Sequence, residues 1–526
     1  MHKMKNLTTS IYTFEDLIGG NFLYVDKTET LWKLLEPSKG IYFLSRPRRF
    51  GKSLTLSTLK AVFQNKKHLF KGLALENKPH DWKEYPVIHI DLGNCESSDA
   101  PHLSQYLIET VDAIAQSYGL TLIRSGVSGR FTELIEKLAA TGGKIVILID
   151  EYDKPILDNV IKANIESIRE VLENFYSVIK ATEPYQRFVL LTGVSKFARV
   201  SVFSKLNNLT DITMDARFAT MLGYTQEELE ANFAEYIEHV CREQKMDKAE
   251  LLDKLKLWYN GYRFEEDADT VYNPVSIGKF FESGGKFKNY WFETGTPSFL
   301  LKLAKKQQFD FEKELSQPVS ELAFASYEID KLQTLPLLFQ TGYLTIKCTE
   351  INRDRTSYLL GFPNQEVEGA FEAYLLEEYS GVNKENVEVY AVEIADMLDA
   401  GDIDGTMKKM KSFFDNIPCD IQIGSEKYYQ TIFFIIFRLV GLFIEAEART
   451  SIGRIDAVAQ TEKYVYIFEF KLNRSSAEAL RQIHDREYYQ KYLGSGREII
   501  LIGAKFSTKK HNIADWKTEV LPHEII

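Results

Sequence analysis

An apolar run, IYFL (residues 41–44), leads through RPRRFGKS (46–53) into LTLSTLKAVF (54–63). A strand, a tight loop and a helix opening on Gly51-Lys52-Ser53 restrict the possible folds more than any other part of the chain. Loop and helix-start N–H groups of this kind point at phosphate oxygens. A Lys ammonium then reaches the terminal phosphates and a Ser hydroxyl can ligate magnesium. The usual spacing is G-x-x-x-x-G-K-[ST], and Arg46 stands at its first Gly position. The motif alone is therefore degenerate, and its surroundings have to decide.

A triphosphate cradle also needs a carboxylate at the end of a neighbouring strand, to hold magnesium and polarise the attacking water. KIVILIDEYD (144–153) supplies one. Its apolar residues 145–149, mostly β-branched, read as a strand buried on both faces of a parallel sheet. Asp150 and Glu151 then fall at the carboxyl end, where open α/β sheets bind their ligands. Asp150 is assigned to the magnesium shell and Glu151 to orienting or deprotonating water. An acidic turn after a core strand is the plainer alternative. PVIHIDLG (86–93) and RFVLLTGVSK (187–196) add two strands, separated by helical patterns. That alternation predicts a parallel α/β sheet. Thr192, Gly193, Val194 and Ser195 end the last strand, either as a γ-phosphate sensor or as a strand end and helix cap.

Taken in order, LYVDKTETLWKLL (23–35), YFLSRPRRFGKSLTLSTL, the IDEYD strand and FSKLNNLTDIT (203–213) resemble the bacterial AAA-ATPase-like family. There RPRRFGKS is itself the characteristic form of the P-loop. The resemblance implies a P-loop NTPase sheet with a helical lid. It also implies ATP and Mg2+ at Gly51, Lys52 and Ser53, with Asp150 and Glu151 as the acidic pair. Arg46, Arg48 and Arg49 either supplement the phosphate contacts, act as a sensor, or form a solvated basic loop. Arg199 is the one candidate for an arginine finger.

A second constellation lies far downstream in GRIDAVAQTEKYVYIFEFKL (453–472). IDAVAQ and YVYIFEFKL alternate around a polar turn and predict an antiparallel hairpin. With Glu462 and Lys463 at the tip, Asp456 pairs across from Glu469, and Lys471 shares the face of Glu469. Two carboxylates and an ammonium suit magnesium, which activates water against a phosphodiester, with Lys positioning or activating the nucleophile. A surface hairpin with a solvated Glu/Lys pair is the bland alternative. The pattern resembles the PD-(D/E)xK nuclease superfamily. The matching residues are Glu426 in the preceding helix EKYYQTIFFIIF, Glu447, Asp456, Glu469, Lys471, and Gln482 in the following helix ALRQIHDREYYQKYL (479–493). By that resemblance Glu426 is the helix carboxylate of the core and Gln482 a helper near the metal.

A chain of 526 residues exceeds one compact core. The sequence divides into a P-loop domain (1–215), a helical lid (216–300), a connecting module (301–415) and a restriction-endonuclease-like α/β domain (416–526). The segments 216–244 and 248–262 read as helical, 331–348 as a helix leading into a strand, and 387–414 as paired helices turning at 400–402. The aromatic, Gly/Pro-punctuated stretch 272–306 either stacks nucleic-acid bases or, the favoured reading, packs between domains. A formal net charge of −11 disfavours indiscriminate coating of nucleic acid yet leaves room for a local basic groove. Cys95, Cys241, Cys348 and Cys419 lack C-x-x-C spacing and suggest a reducing compartment without zinc or disulfides. His89 reads as a core histidine. No signal peptide is visible, and IFFIIFRLVGLFI (432–444) is too short to span a bilayer and carries Arg438. A cytoplasmic, membrane-free protein is expected. Its function reads as ATP binding and hydrolysis joined to a magnesium-dependent nuclease-like domain. The partner is nucleic acid, DNA ahead of RNA, and a homo-oligomer is compatible with the family. The alternative is a nucleotide switch whose nuclease-like domain is silent and only binds.

Overall fold

In this computed structural model the described residues are 4–160, 162–196, 208–292, 298–307, 309, 311–324, 333–353, 355–417, 426–441, 445–451 and 454–521. Residues 298, 312, 322, 323, 384, 388, 426–430, 445–451 and 454–456 are described by backbone alone. Contacts divide the chain into two compact units. The first is Met1–Gly295 with Pro318–Glu366, and the second is Thr296–Gln317 with Val367–Ile526.

The first unit is built on five strands: β1 (Gly40–Ser45), β2 (Val87–Asp91), β3 (Ile145–Asp150), β4 (Gln186–Gly193) and β5 (Thr210–Asp211). Their spatial order is β2-β3-β4-β1-β5, and every pair is parallel. β3 and β4 are buried along their whole length. That explains their unbroken apolar runs, since helices cover both faces of such a sheet. The helices Lys52–Phe63, Ala100–Ser117, Val127–Gly142 and Ile165–Ala181 run between the strands.

The helical segment beyond the sheet is more broken than the sequence suggested. A short 3-10 turn (Ala216–Phe218) precedes the helices Gln226–Asn232, Ala234–Gln244, Lys248–Tyr259 and Pro274–Glu282. Thr225 starts the first of them with a full capping box to Glu228, which fixes its boundary. These helices share a core that includes Leu229, Phe233, Ile237, Leu255 and Phe280.

The span 318–366 groups with this unit, a different division from the connecting module read in the sequence. Its helix Thr334–Gln340 leads into a sheet of β6 (Val319–Ser320), β7 (Thr345–Asn352) and β8 (Arg355–Gly361). The reason is contact. Arg263 N donates to Thr345 Oγ1 at 2.8 Å, and Tyr358 Oη donates to Glu266 Oε2 at 3.0 Å.

The second unit holds β9 (Glu445–Ser451), β10 (Arg454–Gln460), β11 (Tyr464–Leu472), β12 (Glu498–Ser507) and β13 (Asn512–Val520), in the order β13-β12-β11-β10-β9. β11 and β12 are parallel and the other pairs antiparallel. Phe468 and Phe470 on one face meet Phe437 and Phe433 of the helix Glu426–Val440. Val465 and Ile467 on the other face pack with Ile483 of the helix Ser476–Asp485. That second helix ends at Asp485, with Glu487 at a φ of 50°, so it is shorter than the pattern through Leu493 suggested. The paired helices Lys384–Asp399 and Ile403–Asp415 turn at Gly401, as expected.

Candidate functional sites

The loop after β1 is shaped by two residues at positive φ, Arg49 at 67° and Gly51 at 93°. Phe50 is buried against Tyr262 and Phe264, with ring centroids 4.8 and 5.4 Å away. Trp291 Nε1 donates to the Arg48 carbonyl at 3.1 Å, so part of the aromatic stretch packs behind the loop. Among the described residues of 272–306, Tyr290, Trp291 and Phe292 are buried, in keeping with packing rather than base stacking.

Lys52 is buried, and its Nζ donates to the carbonyls of Arg46 and Pro47 at 3.0 Å each. Burial lowers its pKa, opposed by Asp150, Glu151 and Asp153. Ser53 Oγ donates to Asp150 Oδ2 at 2.5 Å, and Thr192 Oγ1 donates to Asp150 Oδ1 at 2.6 Å. Glu151 sits at a φ of 51°, and burial raises its carboxyl above the ordinary range, with Lys52 opposing.

A cavity of about 480 Å³ opens beside this loop. Arg48, Arg49, Gly51, Lys52, Ser53 and Glu151 line its charged end, while Leu23, Tyr24, Leu222, Tyr224 and Val275 line its apolar part. Arg46 is not on that wall. It is 1% exposed, and its guanidinium donates to the carbonyls of Ser45, Thr213 and Phe218 while lying 4.1 Å from the Phe264 ring. Its contacts are those of a brace beneath the loop, not those of the phosphate ligand read from sequence. Arg199 lies outside the described residues.

Two groups here escaped the sequence reading. Asp153, in the same IDEYD motif, accepts from Ser195 N at 2.7 Å, Ser195 Oγ at 2.6 Å and Val194 N at 3.1 Å. It ties the β3 end to the β4 end, and Ser195 is taken up by it. Lys27, in the YVDKT motif, lines the cavity and donates to Glu228 Oε2 at 2.5 Å and the Thr220 carbonyl at 2.9 Å. In the sequence, only their place in two motifs of the family resemblance marked them.

In the second unit β10 pairs with β11 so that Asp456 stands opposite Glu469, and Arg454 opposite Lys471. This is the register the hairpin pattern predicts. The side chains of Asp456, Glu447 and Glu426 lie outside the described ones. Glu469 is fully buried, and Lys471 Nζ lies 2.8 Å from its Oε1. Lys471 also donates to Gln482 Oε1 from the helix Ser476–Asp485. Glu469, Lys471 and Gln482 thus meet on one face. The helix opening on Glu426 covers the opposite face. Phe433 meets Phe470 and Phe437 meets Phe468, so the helix runs against β11 and its N-terminus lies toward the Lys471 end. Gly503, beside Glu469 on β12, lets the second helix approach: a Cβ there would come 2.7 Å from Leu480 N.

A parallel sheet with an FGKS loop and an Asp-Glu strand end defines a P-loop NTPase-type unit, and the mixed sheet with D…ExK register a restriction-endonuclease-like one. The comparisons agree. Residues 8–203 match the predicted AAA-ATPase (AAA-ATPase-like) family, and residues 424–516 match the PD-(D/E)XK nuclease superfamily. A protein of Azotobacter chroococcum mcd 1, described as an uncharacterized protein in the vnfD 5' region, is 37% identical over 533 residues, covering 98% of this chain and 99% of its own. The chain belongs to the AAA-ATPase-like family and carries a C-terminal domain of the PD-(D/E)XK nuclease superfamily. Among solved structures, the Orc1 protein of Aeropyrum pernix in complex with DNA is similar at 12% identity and a TM-score of 0.22, over 66% of this chain and 91% of that one. Among the described residues no helix is long and apolar enough to cross a membrane.

Proposed function

We propose that the first unit binds and hydrolyses ATP and that the second hydrolyses nucleic-acid phosphodiesters, each with magnesium. In the first, a triphosphate enters the cavity and its β- and γ-phosphate oxygens take the Lys52 ammonium from the carbonyls of Arg46 and Pro47. Ser53 Oγ and Asp150 Oδ2 already stand 2.5 Å apart. That hydroxyl–carboxylate pair is a hard-oxygen donor set suited to magnesium. Glu151 accepts a proton from water as the water oxygen bonds to the γ-phosphorus. The bond from phosphorus to the bridging oxygen breaks, and its electron pair leaves with ADP.

The nuclease reading rests on the buried Glu469–Lys471 pair, joined by the half-buried Gln482, beside the register position of Asp456. Burying a carboxylate and an ammonium costs desolvation that packing alone does not return. Glu469 and Asp456 would hold the cation, with Glu426 as the helix carboxylate. Bound magnesium supplies charge to the phosphate oxygens and acidifies water. Lys471, aligned by Gln482, positions a water that gives up a proton to solvent as its oxygen bonds to phosphorus. One ester P–O bond breaks with its electron pair on the departing sugar oxygen, which takes up a proton.

The test is cleavage of labelled DNA and RNA, single- and double-stranded, by the full chain in magnesium. The parent is expected to cut DNA and Lys471→Ala to lose the activity. A parent that binds ATP tightly but cuts none of the four substrates would instead be a nucleotide switch with a silent nuclease-like domain.

A further inference from the structure

The register sets Lys471 beside Lys505 on the sheet face under the helix Ser476–Asp485, with Arg454 the backbone partner of Lys471 on β10. Asp456, Glu469 and Gly503 form the row beside them. The face is fixed by packing: Phe506 and Phe470, one residue from Lys505 and Lys471, both meet Phe433 on the opposite side. Lys471 has its charge met by Glu469. Lys505 is half-buried, and among the described residues no ion pair reaches it. Its register partner on β13, Asp515, accepts instead from Ser476 Oγ at 2.5 Å.

With Lys471 paired to Glu469, Lys505 is the neighbouring cation on this face that no ion pair meets among the described residues, and its charge is available to an anion. The β12–β13 pairing also shifts register between Lys505 and Phe506. The extra residue, Ala514, lies on β13, so β12 keeps its regular alternation and Lys505 stays on the face of Lys471. Neighbouring strands lie about 4.8 Å apart. Lys505 therefore stands roughly one strand spacing from Lys471, within reach of a phosphate next to the one held by the carboxylates.

We infer that Lys505 is a phosphate-binding residue of the nuclease-like site, gripping the phosphodiester that adjoins the scissile one. This rests on the nuclease reading, so the experiment reads binding and not cleavage.

Full-length protein in EDTA is titrated with labelled duplex DNA, single-stranded DNA and RNA over a range of salt. Lys505→Gln is expected to weaken binding several-fold. It should also flatten the slope of log Kd against log salt by about 0.9 on duplex and about 0.7 on single strands. Lys505→Arg, which keeps the charge, should match the parent in both. Equal affinity and slope in Lys505→Gln and parent would overturn the assignment. So would equal weakening in Lys505→Arg and Lys505→Gln, which would mean a packing role. A parent that binds none of the probes would remove the nuclease reading itself.

Discussion

Ser53 and Asp150, 97 residues apart, are joined by a hydrogen bond of 2.5 Å, with Thr192 on the second carboxylate oxygen at 2.6 Å. The first turn of the FGKS helix, the end of β3 and the end of β4 converge on one carboxylate that is 2% exposed. A cation entering between Ser53 and Asp150 would find both oxygens placed, with Thr192 still holding the carboxylate plane.

Lys52→Ala removes the ammonium that the carbonyls of Arg46 and Pro47 hold at the charged end of the cavity. Hydrogen bonds to a charged group contribute about 1.5–3 kcal/mol. ATP affinity should therefore fall by about 10- to 100-fold, measured by titration calorimetry. Unchanged affinity would put the nucleotide elsewhere.

Glu151 carries a carboxyl raised by burial, and a base must be ionised to act. The ATPase kcat/KM should rise with pH through an apparent pKa above the ordinary glutamate value, and Glu151→Gln should abolish that limb with most of the rate. Stability moves the other way. A pKa higher in the folded than in the unfolded chain means the folded chain holds the proton more tightly. That contribution is complete below the ordinary glutamate pKa and is lost as pH rises through the folded one. Thermal melts should show Glu151→Gln gaining on the parent as pH rises across this window.

Two glycines separate backbone strain from crowding. A Cβ at Gly51 meets nothing within 4 Å, yet its φ is 93°. Gly51→Ala should cost about 1–2 kcal/mol from conformation alone. Gly503 has no such φ, but its Cβ would run into Leu480 N and the Ser476 carbonyl. Gly503→Ala should cost about 1–3 kcal/mol by lifting the helix that carries Gln482. Urea midpoints for both variants check the costs. DNA cleavage should drop in Gly503→Ala and survive in Gly51→Ala.

What could be read in advance followed from local pattern. The period-two alternation of 454–460 and 464–472 carries the Asp456–Glu469 register, because a one-residue slip would turn Ile467 and Val465 out of the core. The buried run before Asp150 needed only its apolar residues. The brace role of Arg46 was hidden because its acceptors, the carbonyls of Thr213 and Phe218, are backbone groups brought near only by the fold. Helix ends near 225 and 485 were missed for a related reason. The Thr225 box and the positive φ of Glu487 outweigh helical propensity that continues past them.

Lys471 and Glu469 offer the sharpest energetic test. Their side chains are 9% and 0% exposed, with 2.8 Å between Nζ and Oε1. Removing one member of such a pair strands the other charge and costs about 3–5 kcal/mol. Lys471→Ala should therefore unfold its unit at clearly lower urea than the parent in EDTA. If Glu469 is a magnesium ligand, the cation should replace the missing ammonium in part. The Lys471→Ala midpoint should then climb with added magnesium more than the parent's does, with no cleavage regained. Glu469→Gln has no carboxylate to offer, so its midpoint should be insensitive to magnesium. Equal magnesium responses in Lys471→Ala and Glu469→Gln would mean that Glu469 and Lys471 form a structural pair and hold no metal.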